Sequence, residues 1–462
     1  MSRKRTRGFR SASGKPQKFR VKIEDLNDAG AGVAYHERRR ILVDKTLPGE
    51  EVLVEYSPHR PRKDRIHLIK ILETSPDRQA PPCAYFEECG GCHLQHIAYP
   101  RQLQFKRQIL QRLLLAYPAL KSIRVHPVEG MPEPLHYRNK SQMPFQEQRG
   151  EAVFGLFRAG THRIIPIDQC LVETRDANRI LQIVREWANR YGVVIYDEEN
   201  HRGILRHVLV RRGMFTHQVM VVLVVTTREV PHWKELLQEL KNGVPLLRSV
   251  QFNINDRRTN TILGPESLVV WGEPYIEEQL GRNRFRIYPE TFFQINTVQM
   301  VRLLEKLIQV VPFDREDVVV DLYCGVGAIS LYLADRVQQI IGIEAAERAI
   351  LAARENADDN AITNVDFVQA DVLEGLRELQ EKAVQPQVII VDPPRKGLPE
   401  ALIEEIAAMA PRAVVYISCN PRSLVRDLHR FEESGYIARE IFPFDMFPQT
   451  HHVESLTVLH RR

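Results

Sequence analysis

From about residue 313 to the end of the chain, strand-length apolar runs alternate with helical segments, and several of the runs stop at a residue able to do chemistry. "DVVVDLYCGVGAISLYLADR" reads as strand, glycine-rich turn and helix, and "QQIIGIEAAERAILAARENA" repeats strand and helix. "VDFVQAD", "PQVIIVDPP" and "AVVYISCNP" are further strands, each trailed by a helical stretch. Parallel neighbours need a crossover connection, so the alternation predicts a mostly parallel, doubly wound α/β sheet. "AREIFPFDMF" and "ESLTVLHR" follow as two successive strands and predict one antiparallel strand at the edge.

The chain before this region is organised differently. Residues 17–73 hold about five short strands broken by Gly, Pro and charge, which predicts a small β-barrel of the oligonucleotide-binding sort. Arg38, Arg39, Arg40, Arg60, Arg62, Lys63 and Arg65 fall at its turns, where a phosphate backbone can reach them. Residues 99–117 read as a helix, and 126–291 as mainly β, interrupted by a helix near 175–191. Its clearest piece is the hairpin "RHVLVRRG" to "QVMVVLVVTT", decorated by Arg206, Arg211 and Arg212.

With 462 residues there is material for several domains. The net charge of +5 is unevenly spread: the first twenty residues carry eight Lys and Arg and no acid. Such an arm fits contact with a polyanion, and equally a solvated disordered tail. No apolar run is long enough to span a bilayer and no apolar segment follows the basic start, so a cytoplasmic protein without a membrane is expected.

In a doubly wound sheet, ligands lie beyond the carboxyl ends of the strands. Asp321 closes the first strand, and the turn after it passes through Gly325 and Gly327. Glu344 ends the second strand, where a carboxylate can accept both hydroxyls of a ribose, and Asp371 ends the third. Acids at three successive strand ends beside a glycine turn resemble the S-adenosylmethionine site of a class I methyltransferase. Asp392, in "DPPRKG", closes the fourth strand; Asp-Pro-Pro resembles a loop that holds a planar base beside a methyl donor, stiffened by its prolines.

Cys419 ends the fifth strand at the same rim. Carbon 5 of a pyrimidine attacks a sulfonium methyl only after a thiolate has added to carbon 6, and a base must then remove the carbon-5 proton. A free thiol is only slightly ionised at neutral pH, so the site is expected to lower the Cys419 pKa. Glu454, in "THHVES", is the candidate base. Cys324 is the rival nucleophile; it sits in the glycine turn with no base near it in sequence and reads as packing.

"DLYCGVG", "DPPRKG", "ISCNP" and "HVE", in this order, resemble the bacterial RNA uracil-5-methyltransferase family, and the front barrel resembles its TRAM domain. The resemblance implies a Rossmann-like class I methyltransferase domain with Cys419 as nucleophile and Glu454 as base. It also implies that Gln294 in "FFQIN", Tyr323, Gly325, Glu344, Asp371 and Asp392 serve the cofactor. Gln294, Asp392 and Arg395 would contact the flipped base or its phosphate. Two departures stand out: Ala328 where some relatives have Asn, and Gln449 and His451 before Glu454. Cytosine-5 RNA enzymes have a similar layout but carry a Cys where this chain has Pro394.

A splayed-out uridine needs Arg and aromatic contacts, and "HYRNKSQMPF" offers Tyr137, Arg138, Lys140 and Phe145. The implied substrate is 23S ribosomal RNA, with no obligate protein partner. A transfer RNA enzyme of the same family is the alternative, as is a non-catalytic iron–sulfur RNA-binding protein. The boundaries that follow are a basic arm (1–14), a TRAM barrel (15–74), a central β domain with the cysteines (75–93 and 126–291), a helix packing on the catalytic domain (94–125) and the methyltransferase domain (292–462).

Cys83, Cys89 and Cys92 are spaced C-x5-C-x2-C, and Cys170 follows far downstream. Four thiolates suit tetrahedral zinc or an iron–sulfur cube, and the spacing alone leans to zinc. The resemblance of "CGGCHLQH" plus a remote Cys to the ribosomal RNA branch implies a [4Fe–4S] cluster in a structural role. Anaerobically purified protein is therefore expected to carry iron and inorganic sulfide; stoichiometric zinc in elemental analysis would overturn the cluster.

Overall fold

Val21 and Ile23, Ile41 and Val43, and Val52, Val54 and Tyr56 are apolar, buried and two residues apart along Gln17–Leu26, Arg39–Val43 and Glu51–Tyr56, and this alternation builds the first sheet. In the computed structural model, which describes residues 16–57, 66–158, 161 and 163–462, that sheet has five antiparallel strands. Their order is Arg39–Val43, Gly32–His36, Gln17–Leu26, Glu51–Tyr56, Ile66–Glu73. The two outer strands approach each other around a core of Val21, Ile23, Ala34, Ile41, Val43, Val52 and Val54, as in a nearly closed barrel. The basic arm (1–14) and Arg60, Arg62, Lys63 and Arg65 lie outside the described residues.

The chain divides into two compact units. One is Met1–Phe86 with Gly91–Ile109 and Gln449–His451; the other is Glu87–Gly90 with Leu110–Pro448 and His452–Arg462. Within the first, the fully buried Glu50 carboxylate accepts from the Leu47 N–H (2.8 Å) and pairs with Arg78 (2.5 Å). A carboxylate stripped of water needs such partners. Gln449, one of the two departures noted above, has a structural use in this unit. Its carbonyl accepts from the N–H groups of His93 and Leu94 (2.9 and 3.0 Å), and its side chain from Gln102 (3.0 Å).

The second unit contains two large sheets. A seven-stranded one runs in the order Glu266–Gly272, Leu247–Ile254, Val219–Val225, Leu205–Arg212, Lys140–Gln148, Glu151–Phe157, Ile164–Pro166. All seven residues of Val219–Val225 are buried. The helix expected near 175–191 is Arg175–Tyr191, and a second, Trp233–Gly243, carries the crossover to the parallel strand Leu247–Ile254.

The eight-stranded sheet has the order Val365–Gln369, Gln339–Glu344, Val318–Leu322, Val388–Val391, Ala413–Ser418, Glu454–Arg461, Tyr436–Phe444, Arg124–Val125. Its first five strands are parallel, as the alternation predicts. The antiparallel strand is not at the edge: Glu454–Arg461 lies inside, antiparallel to both neighbours, and the two-residue strand Arg124–Val125 closes that side. Successive residues enter opposite faces. Val319, Val388, Ile390, Val415 and Ile417 join one core; Val320, Ile389, Val391, Val414 and Tyr416 join the other. Leu209, Met220 and Val222 of the seven-stranded sheet belong to the first of these cores, and Leu110 and Leu114 of the helix Tyr99–Leu114 to the second. Among the described residues no helix is long and apolar enough to cross a membrane.

Candidate active site

The register of the last strand brings the two principal residues together. Ser418 pairs with Ser455 in the antiparallel ladder, so the next step places Cys419 opposite Glu454 at the rim where the parallel strands end. Cys419 is a half-buried free thiol between the strand Ala413–Ser418 and the helix Pro421–Glu433, and the Asn420 side chain caps that helix by accepting from the Arg422 N–H (3.1 Å). Glu454 is buried at 1% exposure, and its Oε1 has no hydrogen-bond partner.

Asp392 ends the neighbouring strand Val388–Val391, and Gln294 donates to it (3.3 Å). Gln294 belongs to a segment held from behind. Asn139 donates to the Gln294 carbonyl (2.7 Å) and to Thr297 Oγ1 (2.9 Å), while Arg211 donates to the carbonyls of Pro289 (3.1 Å) and Thr291. The segment leading to Glu454 is fixed likewise: Tyr137 donates to the Pro448 carbonyl (3.0 Å), Asn296 to Met446 (3.2 Å) and Gln299 to Asp445 (3.3 Å).

These contacts revise the expected RNA contacts of the central sheet. Tyr137, Phe145, Arg206 and Arg211 are buried, and the two arginines donate to backbone carbonyls. Arg138 pairs with Glu173 (3.2 Å), and Arg212 with Asp176 (2.6 Å). A strand buried on both faces hides the side chains that alternation alone would put on a surface.

The glycine turn is built for close approach. Tyr323 (φ +66°), Gly325 (φ +55°) and Gly327 (φ +79°) are all left-handed. A Cβ on Gly325 would meet nothing within 4 Å, so it opens space, whereas one on Gly327 would stand 2.7 Å from the Phe367 ring. Glu344 accepts from the N–H groups of Gly325 (3.3 Å) and Ala346 (2.9 Å). Asp371 caps the helix Val372–Glu381 by accepting from the Leu373 N–H (3.0 Å). Cys324 is packed in the core with its thiol pKa well above the usual value, from burial and then the Asp321 and Glu344 charges. It has the environment of an inert thiol.

Acid accumulates around Cys419. Burial first, then the charge of Asp321, pushes Asp392 up to about 7 against the pull of Gln294. Asp321 is also raised to about 7, mainly by burial; its Oδ2 accepts from Ser330 (2.6 Å) and its Oδ1 has no partner. Glu454 is held well above the carboxylate range by burial and Asp392, with Arg395 opposing. The expected lowering of the Cys419 pKa is not found. Burial and the charges of Glu454 and Asp392 push it up to about 11, and Arg395 is the cation that pulls it down. This carboxylate set, with the unpartnered Asp321 oxygen and the hydroxyl-accepting position of Glu344, fits a cofactor that is cationic and carries a ribose, as S-adenosylmethionine does.

Asp427 is a residue beneath the site that sequence reading missed. Fully buried, it accepts from the Tyr416 hydroxyl (2.8 Å), the Leu398 N–H (2.9 Å) and the Arg426 guanidinium (2.7 Å). Arg426 also donates to the Lys396 carbonyl, and Asn420 to the Arg395 carbonyl (2.8 Å each). Together they latch the Asp-Pro-Pro-Arg loop to the segment that bears Cys419. A Cβ on Gly397 would stand 2.3 Å from the Asp427 carboxylate, so the latch requires glycine there. The signal was a carboxylate on the apolar stripe of the helix, among Leu424, Leu428 and Phe431.

The four cysteines expected to hold a cluster are half-buried; Cys83 and Cys92 belong to the first unit, Cys89 and Cys170 to the second. Among the described residues no three His, Cys, Asp or Glu side chains are gathered as a metal site. Cys170 itself is tightly held: the Asn178 amide accepts from its N–H (2.7 Å) and donates to its carbonyl (3.0 Å).

A parallel sheet with a glycine turn, acids at its strand ends and this rim define a class I methyltransferase. Comparison places it more narrowly. The profile of the family described as tRNA (Uracil-5-)-methyltransferase matches residues 98–462, and the chain belongs to that family. Proteins of Halalkalibacterium halodurans and Oceanobacillus iheyensis, both described as uncharacterized RNA methyltransferases, are each 39% identical, over 95% and 96% of this chain and 96% of theirs. The crystal structure of the Pyrococcus abyssi tRNA (uracil-54, C5)-methyltransferase in complex with S-adenosyl-L-homocysteine is similar with a TM-score of 0.76 at 29% identity. It covers 96% of this chain and 100% of that one. The chain is an RNA methyltransferase.

Two outcomes follow from the geometry. In RNA-free enzyme the thiolate fraction of Cys419 should rise about tenfold per pH unit up to its raised pKa. Iodoacetamide should thus alkylate Cys419 with a midpoint near 11, moved higher still by Arg395→Gln; a wild-type midpoint near 8.5 would contradict the arrangement. Asp427→Asn should slow turnover by about 100-fold through misplacement of the Asp392–Arg395 loop. Steady-state kinetics beside a thermal melt separates that loss from unfolding.

Proposed function

We propose that the protein methylates carbon 5 of a specific uridine in 23S ribosomal RNA, with S-adenosylmethionine as methyl donor, through a covalent bond between Cys419 and carbon 6 of the uracil. The observation that carries this reading is the pairing of Cys419 with Glu454 at the rim, beside Gln294 and Asp392. An N-methyltransferase has no use for a thiol and a buried carboxyl facing each other there.

The chain's residues divide the work. Cys419, once it has lost its proton, adds to carbon 6, and the electron pair of the 5,6 double bond moves toward carbon 5 and the carbonyl oxygen. S-adenosylmethionine, when bound, supplies the electrophilic methyl group. Glu454, in its ionised form, then takes the carbon-5 proton, the double bond re-forms and the carbon–sulfur bond breaks. Arg395 lowers the pKa of both the thiol and the Glu454 carboxyl, and so favours the ionised form that each step needs. The Gln294–Asp392 pair is suited to hold the edge of the uracil ring, Asp392 accepting and the Gln294 amide offering both a donor and an acceptor. Glu344, Asp371, Tyr323 and Gly325 would serve the nucleoside part of the cofactor.

The preference for ribosomal over transfer RNA rests on the front barrel and the cysteine spacing. The [4Fe–4S] reading rests on the resemblance of "CGGCHLQH" with the remote Cys170 to the ribosomal RNA branch, since the spacing alone leans to zinc. A cytoplasmic site of action goes with an RNA substrate and with cysteines spaced for metal or catalysis rather than for a disulfide framework.

Unmodified 23S ribosomal RNA incubated with methyl-labelled S-adenosylmethionine should yield label in 5-methyluridine only. Label in any other nucleoside rejects the reading, and label in transfer RNA instead selects the alternative substrate. With 5-fluorouridine RNA a covalent complex should form, disappear in Cys419→Ala and persist in Cys324→Ala. With ordinary RNA, Glu454→Gln should accumulate the adduct, because release needs the proton transfer.

A further inference from the structure

The strand Leu247–Ile254 turns two unlike rows of side chains inward. Val250 and Phe252 are buried apolar residues. Ser249, Gln251 and Asn253 alternate with them, Asn255 continues the row just past the strand, and all four are buried at 0–1% exposure. Burying an amide costs free energy unless its hydrogen bonds are met. The two asparagines meet theirs on one exposed loop, residues 255–265.

Asn253 donates to the carbonyls of Gly264 (3.1 Å) and Glu266 (3.2 Å), and accepts from the Gly264 N–H (2.6 Å). Asn255 donates to Thr261 and Ile262 (2.8 and 2.9 Å) and accepts from the Arg257 N–H (3.3 Å). Arg206, 4% exposed, reaches the same loop from the strand Leu205–Arg212. Its guanidinium donates to the carbonyls of Asn255 and Arg257 (2.8 Å each) and Thr259 (3.4 Å), and lies 4.3 Å from the centre of the Tyr196 ring. Gly264 closes the loop where a Cβ would stand 1.8 Å from the Ile254 carbonyl.

What this framework displays is Asp256, Arg257, Arg258, Thr259, Asn260 and Thr261, all exposed. Neither Arg257 nor Arg258 forms an ion pair among the described residues, and Arg206 beneath them is balanced by carbonyls rather than by a carboxylate. A merely solvated loop gains nothing from a buried guanidinium and two buried amides. A binding loop does gain, because fixing a backbone costs about 1–2 kcal/mol per residue and here that ordering precedes the ligand. The loop is also tied to the catalytic segment. Asn253 donates to Ser267 (3.0 Å), Ser267 donates to Glu290, and Glu290 immediately precedes the Thr291–Asn296 stretch that carries Gln294.

We propose that the loop 256–261 is a clamp for the sugar–phosphate backbone of the substrate RNA, with Arg257 and Arg258 on phosphate oxygens and Arg206 as the positioning residue that holds the loop open to them. The proposal rests on the reading that the substrate is RNA. It assigns backbone contact to guanidiniums free of carboxylates, in place of the buried arginines of the neighbouring hairpin.

The test is a salt series of initial rates on an unmodified 23S ribosomal RNA fragment, comparing wild type with the double variant Arg257→Gln/Arg258→Gln. KM for RNA should rise about tenfold or more at low salt, with the loss in KM rather than in kcat and KM for S-adenosylmethionine unmoved. Two lost phosphate contacts should reduce the slope of log KM against log salt by about 1.4 to 1.8. Arg206→Met should raise KM for RNA while leaving both exposed arginines in place. If Arg206→Met fails to fold, the double variant alone decides. A double variant with wild-type KM and salt slope overturns the clamp while leaving the methylation reading intact. Absence of RNA methylation by the wild-type enzyme would instead reject that reading.

Discussion

The chemistry of this protein depends on a hydrogen-bond ladder that inserts the last strand, antiparallel, between Ala413–Ser418 and Tyr436–Phe444. Because side chains alternate along a strand, a one-residue slip would turn Glu454 to the opposite face of the sheet and remove it from Cys419. The register is guarded by burial: Ser455, Leu456 and Thr457 are all inside, so slippage would put polar groups against one core and apolar groups against the other. Tyr137, Asn296 and Gln299 hold the segment that leads into the strand from its other side. Cys419 and Glu454 are thus positioned by main-chain pairing, which tolerates far less drift than two independent loops.

The electrostatics follow from the same placement. Bringing Asp321, Asp392 and Glu454 to one rim and burying them makes each ionisation oppose the next, and the thiol among them is raised rather than lowered. In the free enzyme burial and the neighbouring carboxylates thus favour the thiol form of Cys419 and the protonated form of Glu454. Reactivity toward stray electrophiles and oxidants follows the thiolate, so the resting site is protected. Positive charge is what the site lacks, and Arg395 supplies part of it. The backbone of Arg395 is held by Asn420, the residue immediately after Cys419, so cation and thiol are coupled through two adjacent positions of the chain.

How much of this was legible in the sequence depends on whether the information was local. The parallel strands were readable because strands buried on both faces leave unbroken β-branched runs, and Asp321, Glu344, Asp392 and Cys419 could be seen at their ends. The spatial order of the last two strands was not readable, since both look alike in pattern and only pairing decides which lies inside. Arg124–Val125 is too short to have a period at all. The thiol's pKa was misjudged because it is set by burial and then by Glu454 and Asp392, none of which is local in sequence. Arg206 and Arg211 were read as surface decoration for a related reason: alternation identifies a face but does not say whether another segment covers it.

Three sets of buried and half-buried polar side chains share one physical task. Arg211 and Asn139 hold the segment of Gln294, Asp427 with Arg426 and Asn420 holds the loop of Asp392 and Arg395, and Arg206 with Asn253 and Asn255 holds the loop 255–265. In each set most of the bonds end on the loop's own main-chain groups. Replacing such side chains with apolar ones would strand those groups, at about 1–3 kcal/mol for each one left buried. Hydrophobic packing could fill the same volume, but it is non-directional and would leave the loops free to adopt several conformations. Directional bonds from inside fix one conformation before any ligand arrives. An enzyme that must accept a splayed-out base from a large, flexible polyanion benefits from that order, because the RNA then carries most of the entropic cost of adjustment.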